Sequence, residues 1–150
     1  MDSESLSTLK KEIQNLPHEL IVQYLVRMAK YKTENKELLS YLIFNAYDQQ
    51  IFIEGVKEEI NQQFKSLNKS NSYLAKKTIR KALKTTHKYI KFSGVKQTEL
   101  DLLIFFCLKL KATGIRLQQG KVLGNLYLRQ IERIDNVLGS LHEDLRLDYA

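Results

Sequence analysis

Proline occurs once in the 150 residues, glycine six times, cysteine once and tryptophan never. With so few chain breakers, and with apolar residues recurring at three and four positions and not at two, the pattern argues for helices throughout and against strands. The single Cys107 excludes an internal disulfide, so nothing in the sequence calls for an oxidising compartment and the cytoplasm is the expected one. No secretory leader is read at the start, where MDSESLSTLKK carries acids and hydroxyls in place of a basic segment and an apolar run. No membrane span is expected either: the longest apolar block, LLIFFCL from Leu102 to Leu108, falls far short of the roughly 20 residues a bilayer needs. One further absence is local. Between Glu59 and Glu99 there is no acid at all.

What is present fits one soluble domain over residues 1–150, with 43% hydrophobic and 27% charged residues arguing against wholesale disorder. The periodicity predicts about seven helices. The first runs from about Ser5 to Asn15 on the stripe Leu6, Leu9, Ile13 and Leu16. Pro17 suits the first turn of a second, which continues to about Tyr31 with Ile21, Tyr24, Leu25 and Met28 on one face. Asn35 reads as the N-cap of a third from Lys36 to Tyr47, and Asp48 as the cap of a fourth through Phe52, Val56, Ile60, Phe64 and Leu67. The third and fourth are either separate or one kinked helix.

NKSNS, residues 68–72, is a loop, and the fifth helix that follows it ends near Ser93-Gly94, where glycine can turn left-handed. A sixth runs from about Lys96 to Ala112 with Leu100, Leu103, Ile104, Cys107 and Leu108 inward. After a loop from Gly114 to Gly120, the last runs towards Leu147 on the stripe Tyr127, Ile131, Ile134, Leu138, Leu141 and Leu145. KYKTENKELLSYLIF and KFSGVKQTELDLLIFF echo each other: a Lys and an aromatic close one helix, a polar turn follows, and Glu-Leu opens the next. The expected fold is therefore all-α, with antiparallel hairpins stacked in a HEAT- or armadillo-like array or in an irregular bundle.

The fifth helix carries KKTIRKALKTTHKYIKF, with seven Lys or Arg in seventeen residues. At about 100° per residue, Lys77, Lys81, Lys84, Lys88 and Lys91 share a stripe about 80° wide, with Arg80 at its border and Ile79, Ala82, Leu83, Thr86 and Ile90 opposite. The acid-free interval carries +10 of a chain total of +7, which leaves −3 for the remainder. A row of like charges costs about 0.2–0.5 kcal/mol per i,i+4 pair, and a helix meant only for water mixes its signs, as the last helix does with Arg129, Glu132, Arg133 and Asp135. Lys77, Arg80, Lys81, Lys84, Lys88 and Lys91 are thus the candidate contact for a polyanion, nucleic acid first and an acidic protein surface or anionic membrane next. Tyr73 and Tyr89 offer rings for base stacking. The opposing reading is a solvated face, for which lysine is the usual choice.

Catalytic signals are poor. His18, His87 and His142 are scattered, and the H-E-x-x patterns at His18 and His142 end in Val22 and Arg146 instead of a second histidine. His87, between the apolar and basic faces of its helix, reads as a packing residue. The segment from Gly114 to Lys121 has one residue too many between its glycines for a phosphate-binding loop, and Val122 stands where a hydroxyl is needed. Cys107 lies among apolar residues with no base nearby. Glu58-Glu59 and Glu143-Asp144 are adjacent pairs that point about 100° apart on a helix. No catalytic residue, metal site or cofactor is expected. ENKELLSYLIFNAYD and KYIKFSGVKQTELDLLIFFCLKLK resemble segments of small bacterial all-helical proteins that carry no assigned function; the resemblance implies a helical domain and transfers no functional residue. The role expected is non-catalytic binding through the fifth helix. The alternative is a protein-interaction or scaffold module whose last helix pairs with a second copy or a partner.

Overall fold

A computed structural model describes residues 1–118, 121–141 and 149, and it is all-α. Seven helices follow one another: α1 Leu6–Asn15, α2 His18–Tyr31, α3 Thr33–Phe44, α4 Gln49–Lys65, α5 Ser72–Ser93, α6 Lys96–Ala112 and α7 Val122–Ser140. Among the described residues there is no strand. The chain, read from sequence as one domain, clusters into two compact units, Met1–Phe44 and Asn45–Ala150.

The first unit is a hairpin of α2 and α3 with α1 ahead of it. Ser5 caps α1 by accepting from the Thr8 amide at 3.2 Å. Leu16 and Pro17 are extended, and Pro17 stands just before α2 as its N-cap residue, one step outside the first turn. α3 begins at Thr33, three residues earlier than its sequence suggests, because Asn35 does not cap it. The Asn35 side chain instead donates to the Met28 carbonyl at 2.8 Å, tying α3 to the last turns of α2. The apolar stripes of α1 and α2 form as expected but bury nothing; across the three helices only Tyr41 is sealed from water.

In the second unit α4 packs on α5 and α6, α5 on α6, and α6 on α7. Asp48 caps α4 through the Ile51 amide at 3.1 Å, so α3 and α4 are separate helices. Asn71 caps α5 through the Leu74 amide at 3.1 Å. Gly94, at φ 66°, closes α5 in the left-handed conformation that a side chain disfavours, and its amide reaches the Ile90 carbonyl at 3.0 Å. At the start of α7, the Gln118 backbone lies so close to Gly124 that no Cβ would fit. The described part of α7 ends at Ser140; the expected continuation towards Leu147, with Leu145, lies outside the described residues.

The core of this unit centres on α6. Leu100, Leu102, Leu103, Phe106 and Leu110 are fully buried, whereas Ile104 is half-buried and Leu108 is exposed. Leu100, Leu103 and Cys107 are thus inward as the sequence suggests, and Ile104 and Leu108 are not. Three helices touch α6, so burial extends around it to Leu102, Phe106 and Leu110, as its unbroken apolar run from Leu102 to Leu108 requires. Phe64 of α4 meets Phe106 at 5.9 Å between ring centres. A polar clasp completes the packing: Gln49 Oε1 accepts from Ser93 Oγ and Thr98 Oγ1, both at 2.8 Å, fixing the α5–α6 turn to the start of α4.

Candidate functional site

α5 is 22 residues long, about 33 Å at 1.5 Å per residue. Ala75, Ile79, Ala82, Thr86 and Ile90 are its buried side chains, spaced by four and three, and they set the helix rotation by packing on α4 and α6. Leu83 is half-buried beside them. That rotation turns Lys77, Arg80, Lys81, Lys84 and Lys91 outward, and all five are exposed. Among the described residues none of the five meets a carboxylate at ion-pair distance.

Lys88, the sixth candidate, is half-buried, with its ammonium 4.7 Å from the centre of the Tyr89 ring. Tyr89 is committed to packing. Its hydroxyl donates to Glu59 Oε2 at 2.7 Å, and its ring meets Phe52 and Phe92 edge-on, each at 5.8 Å. The ring expected to stack on bases thus belongs to the α4–α5 seam. Tyr73, in the first turn of α5, is 72% exposed and keeps a free face.

Sequence reasoning did not anticipate a second basic feature. Lys65, Lys69 and Lys109 line an open groove of about 450 Å³ between the ends of α4 and α6, with Glu58, Asn61 and Thr113. Lys65 and Lys69 belong to the acid-free interval. Lys109 comes from another helix, and only the fold unites the three.

His87, Arg133 and Cys107 are engaged in the packing of this unit. His87 is half-buried, and its Nε2 lies 2.9 Å from Gln130 Oε1 on α7. Burial lowers its pKa first; the Gln130 hydrogen bond opposes this, Arg133 and Lys91 reinforce it, and Glu99 opposes it. Arg133 Nε donates to Glu99 Oε1 at 2.8 Å, joining α7 to α6. Cys107 is buried, and burial pushes its thiol up to about 11, where almost no thiolate forms at neutral pH. No group of three His, Cys, Asp or Glu residues could hold a metal among the described residues. No helix among them is long and apolar enough to cross a membrane. His142 and the pair Glu143-Asp144 lie outside the described residues, as does Gly120 of the glycine-flanked loop.

The stripe of α7 faces its own unit: Ile134 and Leu141 are buried, and Tyr127, Ile131 and Leu138 are half-buried. The exposed apolar side chains are concentrated instead in Met1–Phe44. Comparison with protein-family models, with curated proteins and with solved structures finds no match for this chain.

Proposed function

We propose that the chain is a non-catalytic binding module of the cytoplasm that holds the backbone of a nucleic acid along α5. The observation that carries this reading is the row of exposed cations on one helix face without carboxylate partners among the described residues. From Lys77 to Lys91 the row covers about 21 Å of helix. Each strand of a duplex presents one phosphate per roughly 3.4 Å of axis, so about six phosphates of one strand run alongside. Five of the six candidates are lysines, which act on phosphate as point charges and do not reach base edges in the forked geometry of arginine. Binding is therefore expected to be salt-sensitive and indifferent to sequence. An acidic protein surface would meet the same face, but it carries fewer charges per unit length than a phosphate backbone.

Anisotropy of a labelled mixed-sequence duplex, titrated at several salt concentrations, tests the reading. With about six phosphates engaged, affinity should fall by about 10³-fold between 50 and 200 mM salt. Lys77→Glu, Lys81→Glu and Lys84→Glu together should abolish binding and leave the helical circular dichroism unchanged. No retention at low salt, or undiminished binding by the triple variant, overturns the proposal.

A further inference from the structure

Apart from Met1, twelve large apolar side chains of Met1–Phe44 are at least 43% exposed. α1 is ten residues long, buries nothing and has no helix packed closely against it. A helix shorter than about 12–15 residues is marginal in water when it stands alone. α2 exposes Leu25 and Met28 on one side and Val22 and Val26 on another, the pattern of a helix covered from more than one direction. Between α2 and α3 lies a groove of about 150 Å³, lined by Leu25, Met28, Leu38, Leu39 and Leu42, with Asn35 its one polar side chain.

We infer that Met1–Phe44 is a self-association surface, covered by the same surface of a second copy, with the Leu6, Leu9 and Ile13 ridge of each α1 seated along the α2–α3 groove of the other. Charge selects this occupant. Residues 1–44 hold six acids and six bases, a net charge of zero, while the rest of the chain carries the whole +7. A surface set against its own copy meets its own charges again, and with a net charge of zero the two copies carry no overall repulsion into the contact. An acidic or a basic partner is not drawn to such a surface by its net charge.

The area agrees. Burying one large apolar side chain corresponds to roughly 60–120 Å² at about 25 cal/mol per Å². Twelve such side chains, about half exposed, offer roughly 400–800 Å². A standard interface takes about 800 Å² from each partner, of which roughly 450 Å² is apolar. An isologous pairing also gives each α1 the packing it lacks within one chain.

Light scattering on the full chain, free of nucleic acid and over about a hundredfold range of concentration, reads this separately from the α5 proposal. The expected result is a mass that doubles with concentration. Leu9→Asp with Ile13→Asp, on the ridge, and Met28→Asp, on the groove, should each weaken the dimer, the double variant by about 100-fold or more. All three sites are exposed, so hydrogen exchange at the α6 amides should stay at its wild-type value and report an intact Asn45–Ala150. A wild-type monomer at every concentration overturns the inference. So does a dimer that withstands both sets of substitutions, or a monomer whose α1 amides are protected by its own chain.

Discussion

In Asn45–Ala150 the side chains of Ile60, Ile79, Leu100, Leu102, Leu103, Phe106 and Leu110 are sealed from water, whereas Met1–Phe44 seals Tyr41 and exposes most of the rest. The helices of the two regions are made by the same rule. α1 and α2 are as clearly two-faced as α5 and α7. The difference teaches that periodicity decides which side of a helix is apolar and leaves open what that side will meet. In the second region four helices supply each other's cover. In the first, α2 and α3 pack on each other, but three helices are too few to enclose a core, and most of their apolar side chains stay exposed. Charge divides the molecule along the same line, with zero net charge in one region and +7 in the other.

The largest effect expected from breaking this comparison comes from equal truncations on its two sides. Phe106→Ala removes a fully buried ring from the contact with Phe64 and should cost about 3–5 kcal/mol. Leu6→Ala, at a side chain 85% exposed, should shift the same transition by no more than about 0.5 kcal/mol. Denaturant-dependent hydrogen exchange at the α6 amides, at a protein concentration too low for self-association, measures both. A comparable cost for Leu6→Ala would mean that the first region belongs to the same core.

A middle-sized effect sharpens the account of how the second region holds together. Gln49→Ala leaves the buried Thr98 hydroxyl and the Ser93 hydroxyl without their acceptor and should cost about 1–3 kcal/mol. Thr98→Val removes one of those stranded donors. The double variant should therefore lose less than the sum of the single ones, a coupling that denaturation of the four proteins reads directly. Strict additivity would show that the clasp contributes nothing beyond its parts.

Helix ends that depend on their own neighbours were legible from sequence. Asp48, Gly94 and the span Lys96–Ala112 follow from capping chemistry and from the freedom of glycine. Asn35 does not act as the cap its sequence suggests: its side-chain N–H turns to the Met28 carbonyl, seven residues back on another helix, a partner no local pattern names. The outward direction of the lysine row was legible, since Ile79, Ala82, Thr86 and Ile90 fix the opposite face. Tyr89 was not. Its sequence position borders the basic face, and only Phe52 and Glu59, thirty or more residues away in the chain, draw it inward. The Gln49 clasp and the meeting of Lys109 with Lys65 and Lys69 are invisible for the same reason: each joins residues that no local pattern relates.

The smallest effect concerns pH, and it too belongs to the region with a core. His87 sits between α5 and α7 against Gln130, facing Arg133 and Lys91 as like charges and Glu99 as the opposing one. Its pKa in the folded chain lies below the ordinary 6.5, chiefly because burial penalises the imidazolium. As pH falls through 6.5 the unfolded chain takes up this proton before the folded one does, so stability declines with falling pH. The decline from this group ends once pH is below the folded value, where both states are protonated. His87→Gln removes the titration and should flatten the stability profile between neutral pH and that lower limit, a change that urea denaturation at a series of pH values resolves. An unchanged slope in the variant would show that His87 ionises alike in both states and that the seam around Gln130 excludes less water than its packing implies.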